Sequence, residues 1–553
     1  MSKYKFIYLV AAAVVIAGTA CKKQLQVGNP NSPTLSGNVN TEAGLSAFTQ
    51  GATYINGFVN GDGWLGNSYW SLPYGYAELL ADNVAADAAN QEVSVVNVPD
   101  GVTYTGGSMT NPSPQIAFLR SYNTRANTGA GNNVYYYQWL NMYALNAAEN
   151  TVLSQIPSVT LAADDAATFK AWAYFWKGFA YANIGSQYYS GLIIDSYNGS
   201  SNHYLVHDSI IARSNYYYNL AISTIGTIQS ATAYAGVMKT LIPTDFQKGA
   251  HGGIPTTAQW VRTINTLLAR NILTSKISPF VNGNLSATIA KSSASVMTTA
   301  DWTAVLNYAT AGIQQGDVVL TGTAGGINPV FTAGGGTVAS MTTGTNTNTT
   351  YKISERYIQC FGAGDARKTN NFSTATLYNN PSFTTRYSLI NNGLGTPGVW
   401  SYGSTDVGGY ELYIAGSYEE NALTLAEANI RLGNVKTGLG YVDAVRTYQG
   451  AGVAPIANSG LSASQAMTQL TNERLVSLFG RGLAWYDVRR WGWPYATSNG
   501  GGRYGVNFLS VGGAINANST INYNFLDFWD VPADESVLNP PGSGSAATVN
   551  PNF

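Results

Sequence analysis

The chain has 553 residues, of which 45% are hydrophobic and only 10% are charged. A chain of this composition can bury a large core, which excludes the intrinsically disordered class. Its formal net charge is −1, so it offers no basic surface to a phosphate backbone and is not expected to bind nucleic acid. Solubility must come from uncharged polar residues, which suits an extracellular protein.

Aromatic residues make up 12% of the chain, with 37 tyrosines and 12 tryptophans. This is more than a core of this size needs from residues that carry a polar tip. We expect some of these rings at the surface, where a flat apolar ring can stack on the C–H face of a sugar. Most of the others are expected in the core.

The N-terminus has the pattern of a bacterial export signal. Two lysines precede an apolar stretch over 6–18 that is too short to span a bilayer comfortably, and small residues lead directly to Cys21. This order resembles a lipobox, so we expect a signal peptide over 1–20 and a lipidated Cys21. Because Gly18 stands where a larger aliphatic residue is usual, secretion in soluble form is the alternative.

Residues 21–40 are rich in Asn, Pro, Ser and Gly and have no apolar periodicity, which predicts a flexible, lipidated tether. The remaining residues, 41–553, are expected to form a single domain. Cys360 is the only other cysteine, so the processed chain has no pair for an intramolecular disulfide. Its neighbour Phe361 is apolar, and we predict that Cys360 is a buried side chain without chemistry.

Apolar residues that recur at offsets of three, four and seven predict eight amphipathic helices. The stripes lie within 136–147, 172–180, 217–228, 261–272, 302–313, 422–430, 441–448 and 462–480. Capping-box spacing marks two of the helix starts, at Thr256 and at Ser462. Consecutive pairs of helices predict a mainly α fold with a tetratricopeptide-like scaffold of helical pairs and long irregular loops.

Two long regions, 88–132 and 320–410, lack helical periodicity and are rich in Gly, Asn, Thr and Tyr. Loops of this length on a rigid scaffold are usually functional or disordered, and the aromatic content favours order. We therefore expect the ligand-binding face to be built from these loops. Residues 321–350 are the exception, since they lack apolar anchors and are expected to form a mobile flap.

Motifs for catalysis or for metal binding do not stand out. His203 and His207 are four residues apart, but no His-Glu-x-x-His surrounds them and the stretch has the composition of a polar turn, so no metal site is assigned. There is no nucleophile elbow, phosphate loop or paired-cysteine motif, and no cofactor is expected. The acidic residues single out no pair for glycoside hydrolysis. A calcium site at Asp82, Asn83 or Asp87 is left unassigned.

Segments 472–475 (Asn-Glu-Arg-Leu) and 485–492 (Trp-Tyr-Asp-Val-Arg-Arg-Trp-Gly) resemble the C-terminal signature of the SusD/RagB family. Residues 420–446 are similar to the helical pair that precedes this signature in the family, and 529–540 to its terminal strand-and-turn segment. Less specific similarities extend the resemblance over nearly all of 21–553. The resemblance implies the fold of this family.

The sequence departs from the family pattern at one place. Many members have Glu before the glycine and Arg two residues after it, whereas this chain has Arg481, Gly482, Leu483 and Ala484. The loss of both partners of a buried ion pair can be nearly neutral. The departure therefore bears on the subfamily and not on the fold.

The charged residues of the signature are interpreted as structural. Glu473, Arg474, Asp487 and Arg490 are expected to form ion pairs that join the last helix to its neighbours. They identify the family without marking the ligand site.

The resemblance implies a lipid-anchored protein of the outer membrane that faces outside and caps a TonB-dependent barrel transporter. It implies a nutrient ligand, a glycan or in some members a peptide, and no enzymatic activity. The residues alone leave three hypotheses open: a binding module, a secreted glycoside hydrolase on a helical scaffold, and an interaction protein whose loops only grip a partner.

Aromatic and polar residues of the irregular stretches are the candidate ligand-binding residues, because rings stack on sugars while Arg binds hydroxyls or carboxylates. They are Trp64, Trp70, Tyr104, Arg120, Tyr122, Trp400 and Tyr402. Because they come from separate parts of the chain, the hypothesis requires these parts to converge in space.

Overall fold

The computed structural model of the chain describes most of its residues. The described ranges are 39–54, 73–86, 99–111, 115–121, 123, 134–247, 251–278, 296–323, 351–379, 384–390 and 411–553. The predicted signal peptide (1–20), Cys21 and nearly all of the predicted tether (21–40) lie outside them and stay predictions.

The described part of the chain is mainly helical, as expected from its apolar periodicity. Its α-helices, numbered in chain order, are α1 (Glu42–Tyr54), α2 (Pro73–Leu80), α3 (Gln115–Ser121), α4 (Val134–Gln155), α5 (Ala163–Gln187), α6 (His207–Ile225), α7 (Ala231–Leu241), α8 (Thr257–Ser275), α9 (Thr299–Thr310), α10 (Glu355–Ile358), α11 (Ala366–Asn371), α12 (Tyr418–Arg431), α13 (Val435–Tyr448), α14 (Ala463–Ser477), α15 (Ala484–Arg490) and α16 (Ala533–Leu538).

All eight helices predicted from the sequence are present, as α4, α5, α6, α8, α9, α12, α13 and α14. Both predicted capping boxes are confirmed. The Thr256 hydroxyl accepts the backbone N–H of Gln259, and the Gln259 side chain accepts the backbone N–H of Thr256. Ser462 and Gln465 repeat this arrangement at the start of α14. Each box satisfies N–H groups that the first helical turn cannot pair.

The long helices stack side by side into the predicted tetratricopeptide-like scaffold. Helix α5 is central and contacts α4, α6, α7 and α8, while α9, α12, α13 and α14 continue the stack towards the C-terminus. Buried rings fill the centre: Trp176 meets Phe175 and Trp172 edge to face, with centroids 5.1 and 5.7 Å apart. Phe175 also meets Trp260 of α8 at 5.7 Å. These rings join successive helical layers.

Short antiparallel strands complete the fold. The strands are β1 (Val84–Ala86), β2 (Gly101–Tyr104), β3 (Gly107–Thr110), β4 (Ser190–Gly191), β5 (Leu205–Val206), β6 (Thr321–Thr323), β7 (Tyr351–Ile353), β8 (Phe372–Asn379), β9 (Thr384–Leu389), β10 (Glu411–Tyr413), β11 (Arg503–Leu509) and β12 (Ile515–Asn522). Strands β11, β12, β2 and β3 form one four-stranded sheet in that order. The others form pairs: β1 with β7, β6 with β10, β4 with β5, and β8 with β9.

The two regions expected to be irregular therefore contain ordered strands. The first contributes β2 and β3 to the four-stranded sheet, and the second contributes β6 to β9. The predicted mobile flap begins with β6, which pairs with β10. Residues 324–350 of that flap lie outside the described residues.

The charged signature residues form the predicted structural network. Arg490 binds both carboxylate oxygens of Glu427 at 2.6 Å, which ties α15 to α12. Asp487 accepts from Arg490 at 2.9 Å and from Arg474 at 2.8 Å. Glu473 binds other partners, Arg367 at 2.5 Å and Arg446 at 2.7 Å. All four signature residues are buried, so the structural interpretation is confirmed.

Arg481, where the sequence departs from the family pattern, contacts Glu419 and Tyr413. Its guanidinium lies 3.4 Å from the carboxylate of Glu419, and its central carbon lies 3.7 Å from the ring centroid of Tyr413. An arginine stacked on a ring while paired to a carboxylate is well compensated for burial. The departure is therefore accommodated locally.

Cys360 and His207 are both core residues. Cys360 is buried, as predicted, and burial raises the pKa of its thiol to about 11. His207 is the first residue of α6 and does not lie in a polar turn. Its buried ring stacks on Phe528, with the ring centroids 4.0 Å apart. Within the described ranges, no cluster of three His, Cys, Asp or Glu side chains is suited to a metal ion.

No described helix combines the length and the apolar character that a bilayer crossing requires.

Candidate ligand-binding site

Asp82, which precedes the first region expected to build the ligand face, binds a residue of the second region. Asp82 follows α2 in the left-handed backbone conformation, with φ of +61°. Its carboxylate accepts two hydrogen bonds from the guanidinium of Arg356, one of them 2.6 Å long, and one of 2.7 Å from the hydroxyl of Tyr523. Nearby, β1 pairs with β7 in the register Ala85 to Lys352. The segment before the first region is thus joined to the second region through Arg356 and β7, and through Tyr523 to the end of β12.

The charges of this junction compensate each other. Burial opposes the charged form of Arg356, but the charge of Asp82 and its hydrogen bonds hold the pKa of Arg356 above the usual range. Burial raises the pKa of the Tyr523 hydroxyl, which therefore donates as a neutral phenol. A carboxylate that is held by two partners from distant parts of the chain fixes their relative positions.

Aromatic rings and guanidinium groups extend from Asp82 towards the surface. Tyr104 of β2 stacks on Phe508 of β11, with centroids 5.3 Å apart and planes inclined by 30°. The guanidinium carbon of Arg356 lies 6.0 Å from the Phe508 ring. Tyr104 is only half-buried. The candidate residue Tyr104 is therefore placed beside the junction, with part of its surface open to solvent.

A second stack includes the ring of Tyr523. Trp493 is parallel to the Tyr523 ring at 5.6 Å, and the guanidinium of Arg503 lies 4.2 Å from the centroid of Trp493. Arg503 also approaches Asp82, at 3.9 Å. Both Trp493 and Arg503 are half-buried. Their positions were not predicted from the sequence.

The set defined by Asp82, Tyr104, Arg356, Trp493 and Arg503 is here called the Asp82 cluster. Its exposed parts combine flat rings with N–H donors that are already held in place. A surface of this kind can stack on the apolar face of a sugar ring while its donors bind hydroxyl oxygens. The arrangement suits binding.

Arg120, another candidate, is engaged by the protein itself. Its guanidinium donates to the carboxylate of Asp530 at 3.0 Å and to the main-chain oxygens of Asn550 and Phe553 at 3.0 and 2.9 Å. Its side chain is 30% exposed. These contacts attach α3 to the C-terminal segment, so the fold gives Arg120 an anchoring role.

The other five candidate residues lie outside the described residues, and their role as ligand contacts stays a prediction. They are Trp64, Trp70, Tyr122, Trp400 and Tyr402.

The missed residues had a signal that sequence reasoning could have used. Arg503 follows a glycine-rich turn, and Trp493 comes directly after the C-terminal signature. Aromatic and basic residues that flank a structural motif in a glycine-rich segment are candidates for a binding surface.

Comparison with known proteins agrees with this architecture. Residues 418–540 match the sequence model of the SusD family. No curated protein matches the chain.

Solved structures that are similar over the whole length establish the fold. One is a SusD-like carbohydrate binding protein from Bacteroides vulgatus, with 14% identity and a TM-score of 0.51, covering 92% of this chain and 98% of that one. Another is a SusD superfamily protein from Bacteroides thetaiotaomicron, with 13% identity and a TM-score of 0.53, covering 91% and 98%. Together with the sequence match over 418–540, these similarities show that the chain has the fold of SusD-like proteins.

Proposed function

We propose that this protein captures a nutrient, and that the nutrient is a glycan. The observation that carries the proposal is the Asp82 cluster, where segments more than 400 residues apart in sequence hold half-buried rings and guanidinium groups side by side. A similar structure from Bacteroides vulgatus is a carbohydrate binding protein, which supports the same ligand class here.

Binding without turnover is favoured by the positions of the described carboxyl groups. Burial raises the pKa of Glu78 and of Glu149 to about 8, as glycoside hydrolysis would require of its acid. Both side chains are fully buried, however. Glu78 accepts from Asn83 and from the backbone of Gly480, and Glu149 accepts from Thr53. Neither carboxyl group can reach a glycosidic oxygen.

The proposal includes a location and a partner. A lipid on Cys21 would anchor the protein at the outer membrane, facing outside. The segment up to residue 40, whose composition predicts a flexible tether, would let the protein move relative to that anchor. We infer that the captured glycan passes to a TonB-dependent barrel transporter. This part rests on the lipobox-like pattern and on the family resemblance.

A binding screen tests the proposal. The chain cut before Gln24 is titrated with a panel of neutral and acidic glycans and with peptides, while Trp fluorescence and product formation are both followed. We expect at least one glycan to change the fluorescence without being cleaved. Cleavage of a glycan would favour a hydrolase. A response to peptides alone would change the proposed ligand class from glycan to peptide. No response to any member would favour the third hypothesis, a protein whose loops only bind a partner protein.

A further inference from the structure

A cavity lies in the helical scaffold, apart from the Asp82 cluster. It is bounded by α4, α5, α6, α8 and the segment 481–486, and it shares no lining residue with the Asp82 cluster. Its volume is about 50 Å³, which is room for about three to five water-sized groups. The lining residues Asn183 and Gly482 are half-buried, so the cavity reaches the surface on their side.

Two amide oxygens in the cavity wall lack hydrogen-bond donors. Gln138 and Gln187 line the cavity and are only 1% and 3% exposed, yet neither Oε1 atom accepts a hydrogen bond from the described residues. In folded proteins nearly every buried polar atom is paired. The hydroxyls of Ser186 and Tyr486, 3.4 Å apart, line the same cavity. A ligand with hydrogen-bond donors would therefore satisfy the Oε1 atoms of Gln138 and Gln187.

The charges around the cavity are already compensated. Arg270 makes two hydrogen bonds of 2.6 and 2.5 Å to Glu420, and Arg481 lies 3.4 Å from Glu419. An ion of either sign would have to compete with these pairs. A neutral ligand avoids that competition, because it needs only hydrogen bonds.

We propose that this cavity binds a small neutral polyol of three or four carbons. Two of its hydroxyls donate to the Oε1 atoms of Gln138 and Gln187, and its carbon chain lies against the apolar part of the wall, which includes Phe179 and Leu267. A polyol of this size has three or four hydroxyl groups, close to the number of water-sized groups for which the cavity has room. This site is independent of the proposed glycan-binding function.

Saturation-transfer NMR with glycerol tests the site, because the method detects weak ligands. We expect binding to the full protein with a dissociation constant on the order of millimolar. Gln187→Leu and Gln138→Leu keep the side-chain volume but remove an acceptor, and each should weaken glycerol binding about tenfold. The matched control is Gln314→Leu, at an exposed position, which should leave the dissociation constant unchanged.

A variant that blocks the mouth of the cavity distinguishes loss of glycerol binding from loss of folding. Asn183→Phe places a large ring at the mouth. Among the described residues, the Asn183 side chain donates one hydrogen bond, to the main-chain oxygen of Phe179 within α5. If this variant keeps the wild-type melting temperature, it should no longer bind glycerol. Wild-type protein without a glycerol signal, or equal signals in the wild type and in all these variants, would mean that the cavity holds only water and would overturn the proposal. The glycan screen is unaffected by either result.

Discussion

The carboxylate of Glu427 is fully buried and yet ionised. Burial alone would raise its pKa, but the bidentate pair with Arg490, together with Arg431 and Arg474, lowers that pKa to about 2. Arg490 also binds Asp487. Removal of Arg490 therefore leaves the buried carboxylates of Glu427 and Asp487 with less compensating charge.

We therefore expect Arg490→Met to lower the free energy of unfolding by about 3–5 kcal/mol. Urea titrations followed by circular dichroism measure the change. The control is Lys276→Met, which breaks a partly exposed pair with Asp301 and should cost no more than about 1 kcal/mol. Equal losses in the two variants would contradict the structural role of the signature arginine.

Glu149 shows the opposite effect of burial. Its pKa is raised to about 8, because burial outweighs the hydrogen bond from Thr53 and the charge of Lys177. In the unfolded chain a glutamate has a pKa of about 4.3. Between these two values the folded protein holds more protons than the unfolded one, so stability falls as the pH rises, by at most about 1.4 kcal/mol per pH unit for one carboxyl.

Glu149→Gln should remove this contribution, since the amide keeps an acceptor for Thr53 but cannot ionise. We expect the variant to lose less stability than the wild type between about pH 5 and about pH 8. Urea titrations across that range provide the comparison, with Glu42→Gln as the control at an exposed position. Parallel pH profiles for all three proteins would show that Glu149 is already ionised in the fold.

At the scale of the elements, α5 and α6 pack so closely that one position accepts only glycine. A Cβ atom on Gly178 would lie 2.6 Å from the ring of Tyr218, which is far below van der Waals contact. Gly440 of α13 has nothing within 4 Å of the equivalent position. The two glycines therefore form a matched pair, one required by packing and one not.

Gly178→Ala should lower the free energy of unfolding by about 1–3 kcal/mol, because the two helices must move apart. Gly440→Ala should raise it by about 0.5–1 kcal/mol, since alanine loses less backbone entropy in a helix. Thermal unfolding followed by circular dichroism distinguishes the two. If Gly178→Ala were as stable as Gly440→Ala, the close packing of α5 on α6 would be wrong.

The helices were largely predictable because their apolar residues recur with the helical period. One missed helix, α7, had the same signal, with Tyr234, Val237, Met238 and Leu241 on its buried face. The other long one, α1, gave a weaker pattern because Thr49 and Thr53 lie on its buried face. No strand was predicted, although β2 with β3, β8 with β9 and β11 with β12 form hairpins. The pairs of β1 with β7, β6 with β10 and β12 with β2 join strands that are distant in sequence. Local alternation cannot reveal which strands pair.

At the scale of the whole molecule, the sequence predicted that two distant regions converge but not how. The junction depends on Asp82, which had been considered only as a member of an unassigned calcium site. Its oxygens are instead bound by Arg356 and Tyr523. Tyr104 lies at this junction, whereas Arg120 contacts the C-terminal segment. Side-chain type and loop location alone could not predict that Tyr104 lies at the junction while Arg120 anchors the C-terminal segment, because both placements depend on tertiary contacts.

The central claim is that segments distant in sequence present one shared surface to a glycan. Calorimetric titration of the glycan found in the screen, with Trp64→Ala and Trp400→Ala, tests it most directly. Each substitution should weaken binding by about 1–3 kcal/mol, the loss expected when a ring that stacks on the ligand is removed. Tyr216→Ala, at an exposed position on α6, should have no effect. Wild-type affinity in both tryptophan variants would contradict the claim.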